Sequence, residues 1–412
     1  MGRVDGISAH KCKRKRSLAV LFVIMLGLIG LLADIATEGT RSVMGPYLGL
    51  LGASAAVVGI VAGLSELLGY SLRIFFGRLV DRTGNYWAPL FIGYGINLIA
   101  VPALALAGNW VGAMCLIMLE RIGRAIRGPA RDAMLSYAGS DMGRGWAYGV
   151  QEALSSVGGM IGPVAIVVVM WLGGDYRLGF EVLMIPALMA IVLLAYARRM
   201  NPQPRGMEKT VPAAGSSTKL PRMFWFYVLA GALIAAGYAD FPLVAMHIGD
   251  FSEISDGWVP VMYALVMASD GLSALAFGRS YDRIGILPLI CASAVVPLCV
   301  PLIFSSDLTV VMLGMALYGF GFGAQESVMR AVVADMTPQV RRGTAFGVYN
   351  AAFGVSWFLG SVIMGALYGS SIIAMMAFST ALQLAAVPIM VHVMREHVFV
   401  PHRKKEGSPA EG

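Results

Sequence analysis

The chain has 412 residues, of which 58% are hydrophobic and only 13% are charged, and its formal net charge is +7. A soluble protein of this size could not cover its surface with so few charged side chains, so the composition predicts an integral membrane protein. The basic residues are concentrated in particular loops and at the chain ends. This distribution argues against nucleic acid as a partner.

Apolar runs follow one another along the whole chain, and a transmembrane helix needs about 20 mostly apolar residues. We predict twelve such helices. The basic stretch before the first run resembles a signal peptide, but the run lacks a convincing cleavage site and is interpreted as an uncleaved span. The predicted spans are residues 17–40, 54–76, 88–107, 111–135, 146–171, 178–197, 223–247, 257–277, 287–304, 309–334, 344–368 and 371–394.

Basic residues in the predicted loops lie almost entirely on one side of the membrane. The alternate set of connections contains Arg177 as its single basic residue. By the positive-inside rule, we expect a multi-pass protein of the plasma (inner) membrane with both termini in the cytoplasm. The basic connections are 78–87, 136–145, 198–222, 279–286 and 335–343, together with both chain ends.

Two motifs occur once in each half of the chain, at nearly the same offset. Such a pattern indicates an internal duplication, which is the plan of many transporters. The first motif is Gly77-Arg78-x-x-Asp81-Arg82-x-Gly84, repeated 201 residues later as Gly278-Arg279-x-x-Asp282-Arg283-x-Gly285. The second is Arg144-Gly145-x-Ala147-x-Gly149-Val150, repeated 198 residues later as Arg342-Gly343-x-Ala345-x-Gly347-Val348.

The duplication predicts an all-α fold of two pseudo-symmetric six-helix bundles. A polar stretch rich in Pro, Gly, Ser and Lys separates them and is typical of a flexible linker. The predicted domains are a cytoplasmic tail at 1–16, an N-terminal bundle at 17–197, a cytoplasmic linker at 198–222, a C-terminal bundle at 223–394 and a second cytoplasmic tail at 395–412.

The first motif resembles the signature of the major facilitator superfamily, Gly-x-x-x-Asp-Arg-x-Gly followed by basic residues. Asn85 and Tyr86 replace the basic pair. The resemblance extends over residues 17–394, and the segment 121–133 resembles a pattern in a bacterial branch of largely unassigned or efflux-type members. The matching residues are Gly77, Asp81, Arg82 and Gly84 in the first half and Gly278, Asp282, Arg283 and Gly285 in the second.

This resemblance implies a gating role for the two loops. In family members the loop aspartate interacts with a helix N-terminus in the opposite half, where a carboxylate is stabilised by unpaired N–H groups. Asp81 should therefore face Gly343, and Asp282 should face Gly145. A solvated cytoplasmic turn is the alternative. Three further residues near the cytoplasmic boundary are assigned to gating or structure: Arg127, Arg131 and Asp132.

Ionisable residues within the predicted spans are functional candidates, because each costs roughly 2.5–3.5 kcal/mol on insertion scales. Helical spacing places several of them on common faces. A buried carboxylate could bind and release a proton, and an arginine could bind an organic anion. A structural ion-pair network is the third interpretation. The candidates for proton coupling and for the substrate cavity are Asp34, Glu38, Arg41, Glu66, Arg73, Glu120 and Arg124.

The fifth predicted span contains Gly158-x-x-x-Gly162-Pro163. Small residues four apart permit close helix packing, and proline favours a kink. The motif resembles part of the antiporter signature of drug exporters, although the trailing Gly-Gly is missing. An ordinary packing motif is the alternative.

No catalytic motif, phosphate-binding glycine loop or metal-binding cysteine pattern occurs in the sequence. We therefore expect no enzyme activity, cofactor or metal. The expected function is secondary transport of a small organic solute by a monomer within the lipid bilayer, energised by an ion gradient. Proton-coupled export is favoured, uptake or exchange of an organic anion is the alternative, and a non-transporting membrane sensor is a third possibility.

Overall fold

A computed structural model describes residues 2–140, 142–208, 220–239, 241, 243–244, 247 and 259–396. The predictions for the middle of the linker (209–219) and for the tail beyond residue 396 lie outside the described residues. Every regular secondary-structure element of the described residues is a helix, and the helices are joined by turns and short loops.

The helices of the N-terminal half make six membrane-crossing units, two of which are formed by consecutive segments, α2 with α3 and α7 with α8. The segments are α1 (Gly2–Leu50), α2 (Ala55–Ser71), α3 (Arg73–Thr83), α4 (Trp87–Ala103), α5 (Trp110–Ala138), α6 (Arg144–Trp171), α7 (Tyr176–Val182) and α8 (Met184–Met200).

The described part of the C-terminal half repeats this plan. A π-helical segment, Gln325–Met329, joins α13 to α14. The segments are α9 (Arg222–Gly237), α10 (Val259–Ile284), α11 (Leu287–Val295), α12 (Cys299–Ile303), α13 (Leu308–Ala324), α14 (Arg330–Met336), α15 (Arg342–Ser370) and α16 (Ile372–Glu396).

Eight of the described helical stretches are long and apolar enough to cross a membrane. Their outward faces carry large apolar side chains, such as Ile99, Val192, Leu272 and Ile373, each at least 66% exposed. Apolar surface of this extent needs a lipid environment. The helix α5 is long enough to span but is too rich in arginine to be counted among the eight.

The predicted end of the first span at residue 40 is wrong, because α1 continues to Leu50 and includes Pro46. Tyr47 and Leu48 are fully buried. The Tyr47 ring packs against Phe180 with ring centroids 4.8 Å apart. This burial outweighs the helix-breaking tendency of proline, and no short-range pattern in the sequence reveals it.

The two halves meet at two pseudo-symmetric seams, α3 against α15 and α10 against α6. Their backbones approach so closely that a Cβ on Gly77 would overlap the carbonyl of Gly343, and one on Gly278 would overlap that of Gly145. Glycine is therefore required at both crossings. The repeated motif thus encodes the same backbone crossing twice.

Candidate functional site

Each loop aspartate binds the N-terminus of a helix in the opposite half. The Asp81 carboxylate accepts hydrogen bonds from the backbone N–H groups of Gly343 (2.8 Å) and Thr344 (2.6 Å). Burial raises the pKa of Asp81, and these hydrogen bonds oppose that rise. The predicted position of Asp81 is confirmed.

The second copy repeats this geometry. Asp282 accepts from the backbone N–H groups of Gly145 (2.9 Å) and Trp146 (2.7 Å). We call these two contacts the paired latch. The motif ends in both copies with a left-handed glycine, Gly84 at φ 63° and Gly285 at φ 73°, where the helix stops. Both contacts use helix N-terminal N–H groups that have no partner within their own helix.

The arginines that follow the latch aspartates behave differently. Arg82 and Arg283 are exposed, and within the described part of the chain neither makes a hydrogen bond or ion pair. Their gating role stays a prediction.

A linker residue that the sequence analysis did not single out joins the two halves beside the paired latch. Glu208 accepts from Arg144 (2.7 Å) and from Arg342 (2.9 Å to one of its nitrogens). These arginines occupy equivalent positions of the two repeats. Arg144 also pairs with Asp335. In the sequence, the repeated Arg144 and Arg342 are the one signal of this contact. Nothing in the polar linker distinguishes Glu208 as their partner.

Six of the charged residues of α1, α2 and α5 form a closed ring of alternating sign, which we call the N-half ring. Each carboxylate lies between two guanidinium groups, so the ring holds three acids and three bases and is neutral. In order around the ring, the separations are Arg41–Glu38 3.7 Å, Glu38–Arg124 3.3 Å, Arg124–Glu120 3.5 Å, Glu120–Arg121 3.4 Å, Arg121–Glu66 3.1 Å and Glu66–Arg41 3.4 Å.

The N-half ring has a buried edge and an accessible edge. The side chain of Arg121 is 4% exposed, whereas those of Arg41 and Glu66 are 48% and 32% exposed. Because every acid already has two cationic neighbours, the arrangement favours the structural-network interpretation for most of its members. The sequence spacing predicted the faces but not the closure of the ring.

Three other predicted charges lie outside the N-half ring. Asp34 is buried and accepts a hydrogen bond from Ser155. The guanidinium groups of Arg73 and Arg127 lie over tyrosine rings, at 4.5 Å and 4.4 Å from their centroids. Among the described residues, none of these three has an oppositely charged partner within 4.0 Å.

Two further contacts join the two halves, and their residues are related in pairs by the 198-residue repeat. Glu152 lies 3.4 Å from Arg330, and Asn350 donates to Asp132 at 3.5 Å. Asp132 and Arg330 are equivalent positions, as are Glu152 and Asn350. Arg131 pairs with its neighbour Asp132 at 3.4 Å. The structure therefore brings the predicted Arg131 and Asp132 to the interface between the halves.

The glycines of α6 pack within the N-terminal half. A Cβ at Gly158 would meet the carbonyl of Leu31, and one at Gly162 would meet that of Ile35. The helix continues through Pro163 to its end. These contacts with α1 are those of a close-packing motif.

The model of the Major Facilitator Superfamily matches this chain over residues 26–300 and 241–411. A protein of Mycobacterium tuberculosis (strain ATCC 25618 / H37Rv) is 38% identical over 375 residues, which cover 90% of this chain and 92% of that protein. An MFS-type transporter of Methanocaldococcus jannaschii is 22% identical over 84% of this chain and 88% of its own length.

Solved transporters have the same fold at low sequence identity. A bacterial homologue of the iron transporter ferroportin, in an outward-facing state, aligns with a TM-score of 0.74 and 13% identity over 91% of this chain and 99% of its own. The human organic anion transporter MFSD10 gives 0.71 and 14% over 90% and 99%. The proton:xylose symporter XylE gives 0.67 and 14% over 92% and 96%.

Proposed function

The chain belongs to the major facilitator superfamily and is a membrane transporter, and on that premise we propose proton-coupled export of a small organic solute by alternating access. The observation that carries this proposal is the paired latch. Two equivalent carboxylates each hold a helix of the opposite half, at the end of the molecule where the basic loops lie. A symmetric closure of this kind suits two bundles that rock about a central site.

Coupling to protons is supported by the environment of Asp34. Its carboxyl group is buried on the α1–α6 interface, accepts from a serine hydroxyl and lies outside the N-half ring. Arg124, Arg127 and Arg131 act on it electrostatically, but none of them forms an ion pair with it within 4.0 Å, so the carboxyl group is not held in a salt bridge. Glu38, by contrast, is already compensated by two arginines.

The export direction is supported by the resemblance of Gly158-x-x-x-Gly162-Pro163 in α6 to part of the antiporter signature. Gly158 and Gly162 occupy the positions at which the sequence resembles the antiporter signature, and both lie against the backbone of the helix that carries Asp34. Because Asp34 on α1 accepts from Ser155 on α6, a proton bound at Asp34 changes a contact between these two helices.

The test uses the full chain in liposomes with an imposed pH gradient and a panel of cationic dyes, sugars and organic acids. We expect flux of one class to follow the pH gradient, to run outward in the cellular sense, and to lose its coupling in Asp34→Asn. The matched control is Asp175→Asn, which changes a helix-capping aspartate at the start of α7. Flux that ignores the pH gradient and survives both Asp34→Asn and Glu38→Gln would contradict the proposal.

Uptake of an organic anion is a second candidate, favoured by Arg73 and Arg127. Both guanidinium groups lie on aromatic rings, and neither has a carboxylate of the described residues within 4.0 Å. Guanidinium groups of this kind bind carboxylate or phosphate well. Inward flux of an organic acid that is lost in Arg73→Gln would favour this function over export. Binding without flux of any compound would instead indicate a sensor.

A further inference from the structure

The seam between α6 and α10 buries a carboxyl group that the paired latch and the N-half ring do not use. Asp270 is 1% exposed. One of its oxygens accepts from the Ser156 hydroxyl of the opposite half at 2.7 Å. Its other oxygen has no hydrogen-bond partner among the described residues, and no basic nitrogen of those residues lies within 4.0 Å of it.

The charges that face Asp270 do not compensate it. Glu152 from α6 and Arg330 from α14 act on it electrostatically, as do Tyr238, just after α9, and Tyr263 on α10 itself. Arg330 is already paired with Glu152 and with Glu326. Arg131 also acts electrostatically on Glu152, but within the described part of the chain no guanidinium forms an ion pair with Asp270.

Burying an ionised carboxylate without a cation or a full set of donors costs far more than burying the neutral acid. Among the described residues, Asp270 has one hydrogen-bond donor, no basic nitrogen within 4.0 Å and an acidic neighbour, Glu152. All three conditions favour the protonated form.

We propose that Asp270 is a proton-binding site that is loaded while α6 and α10 are packed together and is emptied to the cytoplasm when they separate. The proposal deepens the proton-coupled transport described above and rests on it for its role in the cycle. It differs from Asp34, which accepts from the neighbouring Ser155 and lies wholly within the N-terminal half. The hydrogen bond of Asp270 crosses the interface between the two halves, whereas that of Asp34 does not.

Separation of the seam supplies the release step. Gly271, next to Asp270, packs against Ala153 and Ser156 of α6, so rocking of the halves removes the serine donor and opens the site to water. The carboxyl O–H bond then breaks, the proton passes to water, and the electron pair stays on the carboxylate.

The first test needs no transported compound. Infrared difference spectra of the purified full chain are recorded during a pH titration, and the carbonyl band of a protonated carboxyl group is followed. We expect one component of this band at neutral pH in the wild type that is lost in Asp270→Asn and retained in Asp34→Asn. Ser156→Ala should keep the band but shift its frequency, because the carboxyl group loses its hydrogen bond.

Glu152→Gln is the matched control on the same seam. It should retain the band and move its titration to lower pH, because a neighbouring acid is removed. A wild-type band that is unchanged in Asp270→Asn, or a component that disappears in Glu152→Gln alone, would overturn the assignment.

The second test separates the site from the function. Spin labels at Thr83→Cys and Ser280→Cys, one on each half, report cytoplasmic opening as a distance. Opening should depend on pH in the wild type and not in Asp270→Asn. If the infrared result holds and no compound is transported with protons, the proposed function fails and the proton site stands. If proton-coupled transport is unchanged in Asp270→Asn, the site fails and the function stands.

Discussion

Replacing Asp81 with asparagine should weaken cytoplasmic closure without affecting the substrate site. The carboxylate accepts two backbone N–H groups at the start of α15, at 2.8 Å and 2.6 Å. An asparagine side chain keeps one acceptor oxygen and turns an NH₂ group toward the other N–H, so one donor of the helix N-terminus loses its partner. The negative charge at the positive end of the helix dipole is lost as well.

The size of the effect follows from these two losses. A hydrogen bond to a charged group contributes about 1.5–3 kcal/mol, and an unsatisfied buried donor costs about 1–3 kcal/mol. Burial of the Asp81 carboxylate raises its pKa because the charged form is poorly solvated there. The neutral asparagine does not carry this desolvation cost, so part of the lost free energy is regained. We take a net change of about 2 kcal/mol, which lowers the ratio of closed to open molecules about 30-fold.

The assay is the distance between spin labels at Thr83→Cys and Ser280→Cys in a background without native cysteines. The open population should rise in Asp81→Asn, transport should slow, and substrate affinity should change little. Asp307→Asn is the control, because Asp307 caps α13 with the same carboxylate-to-backbone contact but within one half. If the variant and the control give the same distance distribution as the wild type, burial cancels the hydrogen bonds and the aspartate is not a latch.

Three further outcomes use the same preparation. Gly278→Ala should open the cytoplasmic side about tenfold through steric overlap at the α6 crossing, whereas Gly365→Ala, whose Cβ would meet nothing within 4 Å, should not; equal distance distributions would exclude the close-contact argument. Glu208→Gln should lower closure several-fold by removing the charge that joins two arginines, and unchanged distances would leave the linker without a role in closure. Arg121→Met should reduce thermal stability by about 3–5 kcal/mol, because it removes one cation from a buried network; an unchanged melting temperature would show that the N-half ring is not cooperative.

The paired latch could be predicted from the sequence because its parts are local. A repeated glycine-bounded loop and the unpaired N–H groups of a helix start define both partners, and the structure confirms the positions of Asp81 and Asp282. The N-half ring could not be predicted to close. Its six members lie on three helices, and helical periodicity fixes the face of each helix but not the rotation of one helix relative to another.

Other features were missed for similar physical reasons. Glu208 lies in a polar linker in which any acid looks solvated, and only its two arginine partners distinguish it. Asp270 was visible as a lone acid in an apolar run, but its lack of a cationic partner depends on where Arg330 directs its guanidinium group. The end of α1 was placed too early because the contacts of Tyr47 are with residues more than 50 positions away.

The exchanged pairs at the interface bear on how the two halves can assemble. Asp132 and Glu152 belong to one half, and the residues at their equivalent positions, Arg330 and Asn350, belong to the other. Two copies of the N-terminal half placed about the same axis would set acid against acid at both contacts. Two copies of the C-terminal half would set arginine against asparagine. The acid-on-acid contacts would repel, so at this interface the N-terminal half is complementary to the C-terminal half and not to a copy of itself.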